Sequence, residues 1–254
     1  MGPAEAYSPD RSWRGKLRRR AVRYIHRRPL RTAPSRPMLS FSFDDAPLTA
    51  ALAGAEILEA RGLRATYYVS GGLAGQIAPV GLCAQPEDYR RLAAAGHEIA
   101  CHTYSHLDCG RASGVAAKAE AARNAELLSA WSGSAPTNFA YPYGDVSAGP
   151  KAALGRRFAT LRALHHDVIT LGTDLNQAPA VGIEGPHGEA LARRWMQQAL
   201  ASNAWLILYT HDVTAAPSMW GCTPDTLARL ADEALEAGFD IGTVAQIAQR
   251  LGLS

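Results

Sequence analysis

The 254-residue sequence predicts an α/β fold built on a parallel sheet. Short apolar runs alternate with longer helical patterns from residue 38 onward, giving about six to eight βα units. A content of 47% hydrophobic and 19% charged residues is that of an ordinary globular chain. The alternation leaves the sheet open or closed into a barrel, with fewer units than a regular eightfold barrel comfortably needs.

The elements follow in order. Residues 1–10 read as disordered. From Trp13 to Ile25 (WRGKLRRRAVRYI), apolar Trp13, Leu17, Ala21, Tyr24 and Ile25 recur at spacings of three and four, the pattern of a basic amphipathic helix. Pro29, Pro34 and Pro37 then break the chain. Met38–Phe43 reads as a strand, and Ala50–Arg61 as a helix stopped by Gly62. Ala65–Val69 is strand-like, and Pro86–Ala95 is helical with Gly96 behind it. Glu98–Cys101 is a short strand, Ala116–Ala130 a long helix, and Asn138–Tyr141 a strand before a Pro-Tyr-Gly turn. Lys151–Arg157 and Glu189–Ser202 are helical, and Trp205–Thr210 (WLILYT) is a buried strand. Thr223 caps a helix with Pro224 in its first turn, ended by Gly238. Phe239–Ile241 and Val244–Leu251 close the chain.

Charge divides the sequence into a basic arm, 1–36, and a body, 37–254. The arm holds 11 of the 26 Lys and Arg against Glu5 and Asp10, a net of +9. The body's 15 basic and 21 acidic residues leave −6. The arm can lie on an anionic membrane surface, extend into solvent or pack on the acidic body. It lacks the apolar core of a secretory signal, so a cytoplasmic location is expected. The acidic body argues against nucleic acid. Four cysteines without a CxxC pair are expected to be reduced thiols.

In parallel α/β folds the reacting side chains gather at the carboxyl ends of strands. Four strand ends carry chemistry here: Asp44-Asp45, His102-Thr-Tyr-Ser-His106, Pro142-Tyr143-Gly144-Asp145 and His211-Asp212. Taken alone, Asp44-Asp45 also reads as a solvated turn, and His211 as a hydrogen-bonded core histidine. His102 and His106, four apart, would share one helical face and aim at one ion. Asp45 would add a third ligand and leave a position open for water. Two imidazoles and a carboxylate favour Zn²⁺ or another late first-row ion such as Co²⁺ or Ni²⁺ over Mg²⁺. Asp44 would then remain free to take a proton. Tyr143, Tyr209 and Trp220 are aromatic candidates to line a binding platform or, equally, to pack in the core.

These motifs resemble the polysaccharide deacetylase family, carbohydrate esterase family four. The resemblant segments are Ser42-Phe43-Asp44-Asp45-Ala46, His102-Thr103-Tyr104-Ser105-His106, Ala140-Tyr141-Pro142-Tyr143-Gly144 and Leu208-Tyr209-Thr210-His211. The resemblance implies a distorted (β/α) barrel of about seven parallel strands. It implies a metal-dependent hydrolase that removes N-acetyl groups from amino sugars of a polysaccharide, oligosaccharide or glycolipid. It casts Asp45, His102 and His106 as metal ligands, Asp44 as general base, His211 as general acid and the Tyr143 N–H as an oxyanion donor. Two positions depart from the family pattern. Ala46 stands where glycine is frequent, and Ala140 where an arginine often orients the base. Arg162 is the candidate to reach back to Asp44, and Asp174 to orient His211. Two further functions stay open: an amidohydrolase of the same architecture acting on a small non-sugar amide, and a glycan-binding module with a degenerate site.

Overall fold

The structure is a computed structural model that describes residues 12–253; the segment 1–10, expected to be disordered, lies outside the described residues. Seven parallel strands curl into a half-barrel. In chain order they are β1 (Met38–Asp44), β2 (Thr66–Val69), β3 (Glu98–Cys101), β4 (Asn138–Ala140), β5 (Thr160–Arg162), β6 (Val181–Gly182) and β7 (Trp205–Thr210). Their order across the sheet is β5-β4-β3-β2-β1-β7-β6, so β1 and β2 lie at the centre. A last short strand, β8 (Asp240–Ile241), pairs with the start of β1.

Every residue of β1 is buried. Its two faces differ as the period of two requires. Leu39, Phe41 and Phe43 join the large apolar core. Ser40, Ser42 and Asp44 lie on the other face, inside the half-barrel. There Ser42 donates to the Leu208 carbonyl at 2.9 Å and Ser40 accepts from the Trp205 indole at 3.1 Å. Along β1 the inward face is thus polar from Ser40 to the rim, and Asp44 is its last step.

The helices are α1 (Trp13–Val22), α2 (Ala55–Glu59), α3 (Pro86–Ala94), α4 (Gly114–Ser132), α5 (Ala148–Leu154), α6 (Gly188–Ser202), α7 (Pro224–Glu236) and α8 (Val244–Arg250). The helix expected from residue 50 starts as a wide π turn, Ala50–Gly54, before α2. The cap expected at Thr223 holds, accepting from Thr226 N at the start of α7, and α4 runs two residues past the expected Ala130 to end at Gly133, with φ of 79°.

The open side of the half-barrel, between β5 and β6, is spanned by residues 163–180. The arm seals it. Leu30 and Thr173 pair through their backbones at 2.8 Å, and Leu175 N donates to the Arg28 carbonyl at 2.9 Å. Val22 is buried in the core beside β4 and β5. The buried Lys151 ammonium donates to the Val22 carbonyl at 2.7 Å and pairs with Asp174 at 2.6 Å. Arg18 reaches Asp145 at 2.6 Å. Of the three readings left open for the arm, packing on the body describes Arg18, Val22 and residues 28–30.

Candidate active site

The rim is built from strand ends bent by backbone strain. Seven non-glycine residues have positive φ among the described residues, and five of them sit here: Asp45 (57°), Ala46 (44°), Thr103 (62°), His106 (58°) and Tyr143 (58°). Such values cost of order 1–3 kcal/mol each and persist only where the surroundings over-determine them. Two consecutive left-handed residues after β1 turn the chain sharply. Asp44 stays inside the half-barrel, 3% exposed, while Asp45 swings toward the histidines. The turn is held by Ala84 N, which donates to the Ala46 carbonyl at 3.0 Å.

His102 and His106 do not share a helical face as their spacing suggested. Residues 102–108 form a loop. The loop wraps the Glu120 carboxylate of α4, which accepts from Tyr104 N (3.0 Å), Ser105 N (2.8 Å) and Ser105 Oγ (2.9 Å). Thr103 and His106 in left-handed geometry then return the second imidazole to the first. The ring centroids are 4.9 Å apart.

Asp45, His102 and His106 form one cluster, with a ligand atom of each within 4.8 Å of the others. Asp45 Oδ1 lies 3.2 Å from His106 Nε2 and 3.7 Å from His102 Nε2. This oxygen is buried and has no hydrogen-bond partner. A buried carboxylate oxygen left bare carries a large cost unless a cation is due there. His102 Nδ1 faces the Ala140 carbonyl at 2.8 Å, so Nδ1 carries the proton and Nε2 presents its lone pair to the cluster. Burial, with His106 beside it, pushes His102 down to about 4, so the ring is neutral near pH 7. Neutral imidazoles and an ionised carboxylate fit a late first-row divalent ion.

Two ion pairs flank the cluster. On one side, Arg162 Nη2 donates to both oxygens of Asp44, at 2.6 and 2.5 Å. Arg162 is fully buried and lies over the rings of Tyr68 and Tyr209, at 4.9 and 5.0 Å. Burial alone would raise the Asp44 carboxyl; Arg162, His102 and His211 outweigh it and hold the group below its ordinary value. Arg162 is the register partner of Ala140 on the neighbouring strand. A guanidinium therefore occupies the interior one strand over from the position where the family often carries it.

On the other side, His211 Nδ1 faces Glu184 Oε1 at 2.9 Å and the Trp220 carbonyl at 3.2 Å. Burial would lower His211, but the Glu184 hydrogen bond and the charges of Asp44 and Asp45 raise it to about 9. It is a cation at neutral pH. The orienting acid is Glu184 and Asp174 has no part in it. Asp174 is turned to the opposite end, where Lys151, Arg28 N and Asn176 N use its oxygens. Glu184 follows β6, a two-residue strand too short for its pattern to stand out. The same strand-end rule that marks Asp44 and His211 would have found it.

The aromatic candidates separate. Tyr143 is 40% exposed, and its ring meets His106 edge-on at 4.5 Å. Its turn requires Gly144: φ is +65°, and a Cβ would stand 2.3 Å from Leu164. Trp220 is half-buried. Tyr209 is only 6% exposed, because its ring covers Arg162, so it offers no open platform for a sugar.

A parallel half-barrel that collects carboxylates and imidazoles at its strand ends holds them where folds of this kind carry their chemistry. A family model described as polysaccharide deacetylase matches residues 31–156, and the chain belongs to that family. Arg162, Glu184 and His211 lie beyond the matched residues. A chitin deacetylase of Colletotrichum lindemuthianum is 29% identical over 118 residues, 46% of this chain and 46% of that protein. The match thus spans about half the length of that relative. The solved structure of the chitin deacetylase from the same fungus superposes with a TM-score of 0.59 at 19% identity, over 86% of this chain and 90% of that one. A family 4 acetyl xylan esterase from Clostridium thermocellum, in complex with a cobalt ion, gives 0.57 at 18%, over 85% and 93%. A CE4 family pseudoenzyme from Bacillus anthracis gives 0.56 at 13%, over 85% and 66%. These likenesses establish the fold. A deacetylase, an esterase and a pseudoenzyme share it, so function must be argued from the site.

Proposed function

We propose that this protein hydrolyses N-acetyl groups from the amino sugars of a glycan, using one divalent ion held by Asp45, His102 and His106, with zinc favoured by the donor set. The observation that carries the reading is the bare, buried Asp45 Oδ1 facing two imidazole nitrogens, with an ionised acid on one side and a protonated imidazole on the other.

The ion would supply Lewis acidity toward the acetyl carbonyl. Everything else falls to the chain. Asp44 takes the proton of the attacking water, and Arg162 keeps it ionised and aimed. The Tyr143 N–H donates to the oxyanion of the tetrahedral intermediate. His211 gives its Nε2 proton to the departing amine while Glu184 holds Nδ1–H. Tyr143 and Trp220 are the aromatic residues left to stack on a sugar ring.

The test is acetate release from a panel of N-acetylated oligosaccharides and lipid-linked sugars, alongside metal analysis. Turnover is expected, and a chelator should abolish it. Asp44→Asn should keep the metal and lose about 10²–10⁴-fold in rate. Retained turnover in that variant would overturn the base assignment. Full metal occupancy without turnover on any acetylated glycan would make the protein a glycan-binding module. Turnover confined to small amides would make it an amidohydrolase of another kind.

A further inference from the structure

We infer that α1 is a peripheral membrane anchor that seats the protein on a bilayer containing anionic lipid. Two sides of this helix have opposite characters. The inward side is committed to the body through buried Val22 and through Arg18, which donates to Asp145 Oδ2 at 2.6 Å and to the Val146 carbonyl at 3.1 Å. The outward side carries Trp13 and Leu17 one turn apart, 69% and 58% exposed, and the turn after the helix adds Tyr24 and Ile25 at 74% and 40%. At 100° per residue, positions 13 and 17 fall about 40° apart on the helix, and Tyr24 follows two residues beyond its end.

Cations flank this stripe. Residues 12–36 contain ten Lys and Arg and no Asp or Glu. Lys16, Arg20 and Arg23 are exposed, and none of them pairs with an acid among the described residues. Aromatic and aliphatic side chains between uncompensated cations match the boundary between acyl chains and anionic headgroups. A polyanion in water would use the cations and leave Leu17 and Ile25 without purpose, so charge and apolarity together favour a bilayer. No described helix is long and apolar enough to cross a membrane, so the contact is one of surface. Asp145, the residue that anchors Arg18, is two positions from Tyr143. The docked helix therefore lies against the loop that forms one wall of the site.

The inference stands apart from the catalytic reading, because vesicle binding is measured without turnover. The full chain is sedimented with vesicles of equal parts phosphatidylglycerol and phosphatidylcholine, and with pure phosphatidylcholine. Binding to the mixed vesicles alone is expected. The combined variant Lys16→Glu, Arg20→Glu, Arg23→Glu should weaken it about a hundredfold. Leu17→Ser with Tyr24→Ser should weaken it about tenfold or more at unchanged charge. Circular dichroism confirms that each variant is folded. Failure of the native chain to sediment with anionic vesicles overturns the inference. So does an apolar variant that binds as well as the native chain, and heparin binding lost in the charge variant would then identify an aqueous polyanion as the partner.

Discussion

The two flanks of the site use the same pairing, a carboxylate against a cation, to opposite ends. In the proposed mechanism the carboxylate of Asp44–Arg162 is the reacting group, and the permanently charged guanidinium holds it ionised. At His211–Glu184 the proposed reacting group is the cation, and the carboxylate holds it protonated. The first pair is fully buried and locked between two tyrosine rings. The second is partly open to the rim. In the proposed cycle both pairs pass through their other protonation state, Asp44 by taking a proton and His211 by giving one, and both must reset. The deeper pair is shielded from solvent, and the shallower one is open to it.

The largest break in this comparison is Arg162→Ala. It strands a buried carboxylate, and removing one partner of such a pair costs about 3–5 kcal/mol. Denaturant unfolding should show that loss, and surviving protein should release acetate far more slowly at full metal content. Unchanged turnover would take Arg162 out of the mechanism. Glu184→Gln is the intermediate case. It should lower kcat/KM about 10- to 100-fold, as for other groups that orient a reacting side chain. It also sharpens the contrast through pH. His211 stands above its ordinary 6.5, so its contribution to stability is complete below that value and is lost as pH rises through about 9. Activity should fall across the same alkaline limb, where the ring loses the proton it must donate. In Glu184→Gln that limb should move to lower pH, and an unmoved limb would mean that Glu184 does not set it. The smallest effect is expected at Ala46→Gly. Relief of left-handed strain of about 1 kcal/mol is offset by about 0.5–1 kcal/mol of added chain entropy. The melting temperature should hardly change, and a large rise would show that the strain is greater than the backbone angle implies.

Much of the fold was legible because it rests on local pattern. β1 and β7 announce themselves as apolar runs, and Gly62, Gly96 and Gly238 mark stops that the chain uses. The acidic pair and both histidines could be singled out because each sits directly behind such a run. Partnership across the sheet was harder. Arg162 could be paired with Asp44 because both end strands. Asp174, in Gly-Thr-Asp-Leu-Asn, is by sequence a candidate partner for His211, and nothing in the sequence says that Lys151, on a helix, turns inward to claim it. The loop from His102 to His106 mimics helical spacing, and only Glu120, fourteen residues beyond His106, explains its return. The arm's docking is one of three readings the sequence leaves open, and part of what decides it, the backbone groups of Arg28 and Leu30, carries no side-chain signature.

Ala140 and Arg162 stand side by side on adjacent strands, one methyl and one guanidinium sharing a single interior space with Asp44. In this chain the cation stands at position 162 and takes both oxygens of Asp44. A lineage passing between this arrangement and the one in which position 140 bears the arginine cannot do so by a single replacement. It must cross a stage with two crowded charges or a stage with none. The two forms are therefore separated by a valley, and a census of aligned columns would count as a lost residue what geometry counts as a relocated one.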